Sequence, residues 1–337
     1  MSGLLDGYDA VLLDLDGTVI RGAEAVSEAP EVVNELRQAG RAVQFITNNA
    51  SRAPEEVAQH LTDLGVRTVP EEVITSAQAA VALLAAQLSA GDAVLVVGAP
   101  ALVDAVRSAG LRPVSTAAQR PMAVVQGHSP ETGWAQLAEA CLAIRGGAMW
   151  IACNVDRTLP TERGLLPGNG SMVAALRTAT DREPTVAGKP ARPLLETAMD
   201  RISARRPLVV GDRLDTDIAG ARAVGLDSLL VLSGVADAVA LLAAPPEQRP
   251  SHLGADLRVL RGSMEKTRIQ ARPGWCVELA DGGLLLRSDG ATDDPLDALR
   301  ALCAAWWVEH TGPVGVGARD DTAAAVLDAV GLGEVAR

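Results

Sequence analysis

The chain has 337 residues, of which 48% are hydrophobic and 21% are charged, and 42 acidic against 30 basic residues give it a net charge of -12. This length and composition predict a globular protein of two or three domains, and the acidic balance, without a block of five Lys or Arg residues, argues against nucleic acid or an anionic membrane surface as a partner. The chain has neither a basic signal start nor a run of 18 apolar residues, so we expect no membrane insertion and a cytoplasmic location.

Residues 10–75 alternate short apolar runs with helical segments. The runs AVLLD and AVQFIT predict strands buried on both faces, and APEVVNELRQAG and APEEVAQHLTDLG predict helices that end at Gly40 and Gly65. This alternation is typical of a parallel sheet covered by helices.

The same alternation continues from residue 78 to residue 262. Strands are predicted at AVLVVG, MAVVQG, AMWIAC, PLVVGD and DSLLVLSG, and helices at ALVDAVRSAG, GWAQLAEACLAI, GSMVAALRTAT, KPARPLLETAMDRI and TDIAGARAVG. A Pro-rich stretch, APPEQRP, interrupts the pattern at residues 244–250, and we place a domain boundary near residue 262.

The tail, residues 263–337, has a different pattern. GWCVELADGGLLLRS predicts a hairpin around an Asp-Gly-Gly turn, followed by a helix in DPLDALRALCAAWWVEH, a strand in PVGVG and a helix in DDTAAAVLDAV. This order is compatible with a shortened acetyltransferase-like fold, although GPVGVGARD lacks the basic or amide residue of that family's pyrophosphate loop. We interpret the tail as a non-catalytic accessory α+β module, dimerising or regulatory. At least one of the adjacent Trp306 and Trp307 should pack into a core.

The cysteines are scattered singly and form no CxxC pair. This distribution argues against a zinc site or a disulfide framework in a chain of this size. It predicts four buried free thiols in a reducing compartment: Cys141, Cys153, Cys276 and Cys303.

Polar residues stand at the ends of several predicted strands. In open α/β sheets, ligands bind beyond the carboxyl ends of the strands, so we expect these residues to gather. Each alone has a simpler explanation as a turn, a helix cap or a surface charge, but four such features in order indicate one shared site. They are Asp14 and Asp16 after VLL, Thr47 and Asn48 after VQFI, Lys189 before a helix, and Asp212, Asp215 and Asp217 after PLVV.

These residue types together suit a site for a metal ion and a phosphate group. A carboxylate and a phosphate repel each other, and Mg²⁺ prefers the oxygens of both, so Asp14 and Asp212 are candidate ligands of an intervening Mg²⁺. The Thr47 hydroxyl and the Lys189 ammonium group suit the other phosphoryl oxygens. Asp16, two residues beyond Asp14, is suited to move a proton as general acid and base.

With these residues, DLDGT, a Thr at a second strand end, a Lys that opens a helix, and GDRLDTDIAGA, the chain resembles the haloacid dehalogenase-like phosphatase superfamily over residues 10–235. The resemblance implies a Rossmann-like α/β parallel-sheet core and an aspartyl-phosphate intermediate. It implies that Asp14 is the nucleophile and a Mg²⁺ ligand, and that Asp16 is the acid/base and offers its backbone carbonyl to the metal. It implies further that Asp212 binds the metal, that Thr47, Asn48 and Lys189 hold the phosphate, and that Asp217 supports Lys189 or a metal-bound water; Asp215 is left unassigned.

Thr47 and Lys189 are 142 residues apart, about 100 more than a core crossover needs. An inserted α/β domain therefore occupies residues 78–187, between core segments 1–77 and 188–262. It resembles the type-two (C2) cap of the subfamily that includes nitrophenylphosphatases and phosphoglycolate phosphatases. Within residues 153–176, which resemble that subfamily's cap signature, Asn154 and Asp156 are candidates for the substrate entrance or for a structural loop.

A lid of this size suits a small substrate, because closure excludes water. The predicted cap contains only two aromatic residues, Trp134 and Trp150, to stack on a ring, so we favour an aliphatic substrate, glycerol 3-phosphate, over 2-phosphoglycolate, pyridoxal phosphate or a nucleotide. A phosphomutase stays open as an alternative. A phosphate-transferring ATPase, a signalling module and a non-catalytic phosphate-binding regulator fit the residues less well. A homodimer also stays open.

Overall fold

The computed structural model describes residues 3–161, 163–280, 282–290 and 294–333, without the side chain of Pro160. The chain divides into two compact units, and each is described by itself. Unit 1 comprises Met1–Ala42 and Arg205–Arg337, and unit 2 comprises Val43–Ala204.

The helices and strands follow one another in chain order. The first segment of unit 1 contains β1 (Ala10–Asp14), β2 (Ile20–Arg21), β3 (Glu24–Ala25) and α1 (Ala29–Gln38). The next elements are β4 (Ala42–Thr47), α2 (Pro54–Asp63), β5 (Val73–Thr75), α3 (Ser76–Ala85), β6 (Ala93–Val97), α4 (Pro100–Ser108), β7 (Arg112–Val114), β8 (Ala123–Gln126), α5 (Trp134–Arg145), β9 (Met149–Ala152), β10 (Thr158–Thr161), β11 (Gly164–Pro167), α6 (Asn169–Thr180), β12 (Thr185–Val186) and α7 (Arg192–Ile202). Unit 1 resumes with β13 (Leu208–Gly211), α8 (Ala219–Ala223), β14 (Ser228–Val231), α9 (Ala238–Leu242), β15 (His252–Gly254), α10 (Met264–Thr267), β16 (Trp275–Ala280), β17 (Gly283–Ser288), α11 (Leu296–Trp306), β18 (Val316–Ala318) and α12 (Asp321–Ala329).

The main sheet of unit 1 contains four parallel strands in the order β15, β14, β13, β1. Leu12 pairs with Val209, and both are fully buried. This arrangement confirms the expected parallel sheet, whose strands are apolar on both faces because helices cover it. The carboxyl ends of parallel strands lie at one edge, so Asp14, the last residue of β1, and Asp212, which directly follows β13, reach the same edge of the sheet.

Unit 2 contains a second parallel sheet, with five strands in the order β12, β9, β8, β6, β7. Its core is built from small aliphatic side chains together with Trp150, which donates from Nε1 to Oε1 of Gln126 at 3.2 Å. The short strands β10 and β11 form an antiparallel hairpin, and β4 pairs with β5 in parallel. Trp134 is 84% exposed, so the two aromatic residues of the predicted cap differ: Trp150 lies in the core, and Trp134 lies at the surface.

The tail packs on the body of unit 1. Strands β16 and β17 are antiparallel, β18 joins β17 in parallel, and α11 and α12 complete the module. Its apolar side chains form one core with residues such as Leu230, Leu241 and Leu253. Trp306 is buried in this core and Trp307 packs against it, which confirms the expectation for these two residues.

A polar cluster surrounds His252, the first residue of β15. The ring of His252 contacts the Tyr8 hydroxyl at 3.1 Å and the Thr267 hydroxyl at 2.9 Å, and Tyr8 donates to Asp227 at 3.0 Å. Burial lowers the pKa of His252 to about 4. The pKa of Tyr8 is raised, mainly by burial and secondly by the negative charge of the Asp227 carboxylate. His252 is therefore neutral at physiological pH.

Several local expectations were wrong in detail. TDIAGARAVG begins as a π-helix, Leu214–Ile218, before α8, and the strand in PVGVG starts only at Val316. The pattern also missed short elements such as the β10–β11 hairpin, whose strands are too brief to show a period. Of the predicted hairpin turn in the tail, Asp281 lies outside the described residues.

The cysteines are free, but only two of them are fully buried. Cys153 and Cys303 are buried, whereas Cys141 and Cys276 are partly exposed, so the prediction of four buried thiols was wrong for the second pair. Burial raises the pKa of Cys153 to about 12, so its thiol stays protonated. Among the described helices, none has the length and apolarity that a membrane span requires.

Candidate active site

Asp14 and Asp16 stand where β1 leaves the sheet. Asp14 is the last strand residue and is 8% exposed, whereas Asp16 is exposed. Gly17 then turns the chain at a φ of 87°, and its N–H donates to the carbonyl of Ile20 at 2.7 Å. The buried strand thus presents one sheltered and one accessible carboxylate, two residues apart.

Three buried carboxylates meet at this edge of unit 1. One oxygen from each of Asp14, Asp212 and Asp217 lies within 4.8 Å of the others. Asp217 reaches the cluster because the chain forms a π-helix here, in which the N–H of Ile218 donates to the carbonyl of Arg213 at 3.2 Å. The Arg213 N–H also donates to Oδ2 of Asp217 at 3.1 Å. The sequence suggested only a supporting role for Asp217.

The loop that follows β14 holds Asp212 in place. The Val235 N–H donates to Oδ2 of Asp212 at 2.7 Å, and the Ala236 N–H donates to its backbone carbonyl at 3.0 Å. A Cβ atom at Gly17 or Gly234 would lie 2.6 Å or 2.5 Å from Cγ of Asp212, closer than real Cβ atoms come. The backbone at Gly17 and at Gly234 therefore packs closely against the Asp212 carboxylate.

Ser233 joins this loop to the turn after β1. Its hydroxyl donates to the Gly17 carbonyl at 2.7 Å, and its own carbonyl accepts from the Arg21 guanidinium group. The sequence reasoning missed the Ser233–Val235 loop, because the strand predicted at DSLLVLSG included Ser233 and Gly234, whereas β14 ends at Val231.

The acid cluster suits a divalent cation. Its donors are all carboxylate oxygens, which Mg²⁺ and Ca²⁺ prefer. Three buried carboxylates so close together repel one another, and a cation between them offsets that repulsion. The backbone at Gly17 and Gly234 lies so close to Asp212 that neither position accommodates a Cβ without displacing this carboxylate.

Thr47 and Lys189 belong to unit 2. Thr47 ends β4, is 3% exposed, and its Oγ1 accepts from the Asn49 N–H at 3.1 Å. Lys189 is 1% exposed, and its Nζ donates to the Ile46 carbonyl at 3.4 Å. The structure thus brings a buried ammonium group to the carboxyl end of β4.

Asn48, Asn154 and Asp156 are joined by hydrogen bonds within unit 2. The Asn48 side chain bonds both the N–H and the carbonyl of Lys189 and also the Asp156 carboxylate, while Asn154 donates to the Asn48 carbonyl. Asp215 is exposed and forms an ion pair with Arg213 at 2.8 Å, whereas the acid cluster is formed by Asp14, Asp212 and Asp217.

Family models match most of the chain. A model described as haloacid dehalogenase-like hydrolase matches residues 11–112, and one described as HAD-hydrolase-like matches residues 186–260. A model of the GCN5-related N-acetyltransferase-like domain matches residues 272–332, within the tail.

Named relatives have similar sequences and structures. The chain is 48% identical over 338 residues to a D-glycerol 3-phosphate phosphatase of Mycobacterium tuberculosis, a match that covers 97% of this chain and 95% of the relative. It is 37% identical over 230 residues to a 5′-nucleotidase of Bacillus subtilis, which covers 68% of this chain and 88% of the relative. A crystal structure of glycerol phosphate phosphatase from M. tuberculosis in complex with magnesium has a TM-score of 0.94 at 49% identity and covers 98% of this chain and 99% of that one.

Proposed function

The chain belongs to the haloacid dehalogenase-like hydrolase family and is a phosphatase, and from this premise we propose that it hydrolyses glycerol 3-phosphate to glycerol and inorganic phosphate with Mg²⁺ as cofactor. The observation that carries the proposal is the similarity to the M. tuberculosis glycerol 3-phosphate phosphatase, because it runs through the tail as well as the motifs. The magnesium complex of the similar structure and the buried acid cluster of this chain support the cofactor.

In the proposed reaction, Asp14 attacks the phosphorus atom and forms an aspartyl-phosphate while the alkoxide of glycerol leaves. Asp16 protonates that alkoxide, and its carboxylate then takes a proton from the water that hydrolyses the acyl phosphate. The exposure of Asp16 beside the sheltered Asp14 supports this division, since the leaving group and the water both arrive from solvent.

Mg²⁺, when bound, neutralises the charge between the carboxylates and the phosphoryl oxygens. We assign its ligands to the carboxylates of Asp14 and Asp212 and the backbone carbonyl of Asp16. Asp217 would support the set, because one of its carboxylate oxygens lies within 4.8 Å of oxygens of Asp14 and Asp212.

We assign the phosphate to Thr47, Asn48 and Lys189. A lysine 1% exposed to solvent is a strong electrostatic partner for a phosphoryl group, because few water molecules screen it. Both amide hydrogens of Asn48 already have acceptors, so its backbone N–H is the group we assign to the phosphate.

Residues 1–77 and 188–262 form the proposed core, residues 78–187 the proposed cap, and residues 263–337 the proposed accessory tail. The protein acts in the cytoplasm in this proposal, which its free cysteines support. Within the cap, Asn154 and Asp156 border the substrate entrance.

A nucleotide is the second candidate substrate, because the B. subtilis relative is a 5′-nucleotidase. The burial of Trp150 argues against it. Trp150 is buried with its Nε1 bonded to Oε1 of Gln126, so its ring is not exposed for stacking on a base, which leaves Trp134, at the start of α5, as the exposed aromatic residue of the proposed cap among its described residues.

The test is a comparison of kcat/KM for glycerol 3-phosphate, AMP, 2-phosphoglycolate and pyridoxal phosphate, with Mg²⁺ and with EDTA. We expect glycerol 3-phosphate to rank first and EDTA to abolish turnover. If kcat/KM for AMP exceeded that for glycerol 3-phosphate, the proposed substrate would be wrong. Full activity in EDTA would show that the reaction does not need Mg²⁺.

A further inference from the structure

The side chain of Asn48 is fully engaged with the protein. Its Nδ2 donates to the Lys189 carbonyl at 2.9 Å and to the two carboxylate oxygens of Asp156 at 3.2 and 3.3 Å, and its Oδ1 accepts from the Lys189 N–H at 2.8 Å. A single amide thus bonds both backbone groups of Lys189. Since those two bonds fix the peptide groups on either side of its Cα, they set the direction in which the buried lysine side chain leaves the backbone.

The backbone carbonyl of Asn48 is a second junction. It accepts from Nδ2 of Asn154 and from the hydroxyl of Ser76, each at 2.6 Å. Ser76 and Lys189 lie beside the two boundaries proposed for the cap, so Asn48 bonds the chain close to both points where it enters and leaves that segment.

The loop that carries Asn154 and Asp156 is itself tightly held. Asn169, at the start of α6, donates to the Asn154 carbonyl at 2.7 Å, and the Asp156 N–H donates to Oδ1 of Asn154 at 3.2 Å. A Cβ at Gly188 would lie 2.6 Å from Oδ1 of Asn48 and from the Cys153 carbonyl, so the chain before Lys189 packs closely against both. Asn48 therefore links this loop to Lys189 through hydrogen bonds.

We infer that Asn48 is a positioning residue that orients Lys189 and couples it to the Asn154–Asp156 loop. The inference rests on the proposed function, in which Lys189 holds the phosphate and the loop borders the substrate. The side chain of Asn48 acts on phosphate through Lys189, in addition to the direct contact assigned to its backbone N–H, and the match between loop and substrate tunes how well the lysine binds.

The first test compares Asn48→Ala with Asn49→Ala. The Asn49 side chain is a matched control, because the bonds that its Oδ1 accepts from the described residues stay within the following turn, from the N–H and hydroxyl of Ser51 at 2.8 and 2.7 Å. We expect Asn48→Ala to raise both the KM for glycerol 3-phosphate and the Ki of inorganic phosphate about tenfold, because hydrogen bonds that orient a buried charge are lost. We expect Asn49→Ala to change either constant by less than about twofold. A fall in melting temperature with unchanged KM and Ki would mean that Asn48 only stabilises the fold, and would overturn the inference.

Calorimetric titration with Mg²⁺ alone gives a readout that separates this role from a general disturbance. The acid cluster lies in unit 1, whereas the hydrogen bonds of Asn48 described above join residues of unit 2, so Mg²⁺ affinity should stay within about twofold of wild type in Asn48→Ala. An equal loss of Mg²⁺ and phosphate binding would contradict a role specific to Lys189.

A second pair of variants keeps the test valid if Asn48→Ala does not fold. Asn48→Asp has nearly the same shape but sets a second carboxylate against Asp156, so it should raise the Ki of phosphate. Adding Asp156→Asn restores a donor across the same contact and should recover part of that loss; no recovery would refute the coupling. If the wild-type protein fails to hydrolyse glycerol 3-phosphate, the proposed substrate falls, yet the Kd of inorganic phosphate measured on these variants still decides the role of Asn48.

Discussion

Replacing Gly234 by alanine adds a single methyl group and should disable the metal site. The new Cβ would lie 2.5 Å from Cγ of Asp212, so that carbon must retreat to at least 3.0 Å, and Oδ2, which lies nearer still, must move further. The Val235 N–H bond to Oδ2, 2.7 Å long, breaks as the oxygen moves. Mg²⁺ requires near-ideal geometry at about 2.1 Å, so a displacement of this size removes a ligand.

We expect Gly234→Ala to weaken Mg²⁺ binding about 10- to 100-fold, the usual cost of losing the support around a metal ligand. Overpacking should lower stability by about 1–3 kcal/mol. Isothermal titration with Mg²⁺ measures the first effect, and urea unfolding in EDTA measures the second. Gly3→Ala is the matched control, because Gly3 has a φ of -62° and its nearest contact would be 3.4 Å away. Wild-type Mg²⁺ affinity in Gly234→Ala would refute the reasoning.

The other predictions concern the nucleophile, the proton transfer, the tail and the response to pH. Asp14→Asn should abolish turnover yet still bind phosphate analogues, as titration with vanadate would measure; substantial turnover would contradict the mechanism. Asp16→Asn should slow both formation and breakdown of the phosphoenzyme by about 10²-fold or more in rapid-quench experiments, and an effect on one step alone would disprove its double role. Deleting residues 263–337 exposes the core that the tail shares with Leu241 and Leu253, so the remaining chain should unfold cooperatively at a much lower temperature; an unchanged melting curve would count against that shared core. His252 has a pKa near 4 in the folded chain and 6.5 in the unfolded chain, so its neutral ring contributes fully to the free energy of unfolding above pH 6.5, and this contribution is lost as the pH falls towards 4. Urea unfolding should therefore give a free energy of unfolding about 2 kcal/mol lower at pH 5.0 than at pH 7.5. His252→Gln should remove that difference.

The sequence predicted the pairing of Asp14 with Asp212 because parallel strands end at a common edge. Two apolar runs followed by acids are enough to place both carboxylates there, and no contact needs to be known beforehand. The role of Asp217 was harder to foresee. A regular α-helix was assumed after Asp212, and the π-helix changes the direction of the fifth residue.

The positioning role of Asn48 could not be predicted from the residues next to it in the sequence. Its bonds reach residues more than 100 positions away, and a Thr-Asn pair at a strand end suits a phosphate ligand as well as a structural amide. The tail posed a similar difficulty. The sequence pattern changes near residue 262. That change does not indicate whether Trp306 and Trp307 pack within the tail or against residues that precede it in the chain, such as Leu241.

The division of unit 1 into two separated segments has a consequence for how the protein is made. Asp14 emerges from the ribosome early, whereas Asp212 and Asp217 follow only after all of Val43–Ala204, a continuous stretch that can complete its own contacts first. Strand β1 pairs with β13 across nearly two hundred residues, and pairings of such long sequence separation are expected to form late in folding. A chain that terminates before Asp212 therefore contains Asp14 without the two carboxylates that complete the acid cluster.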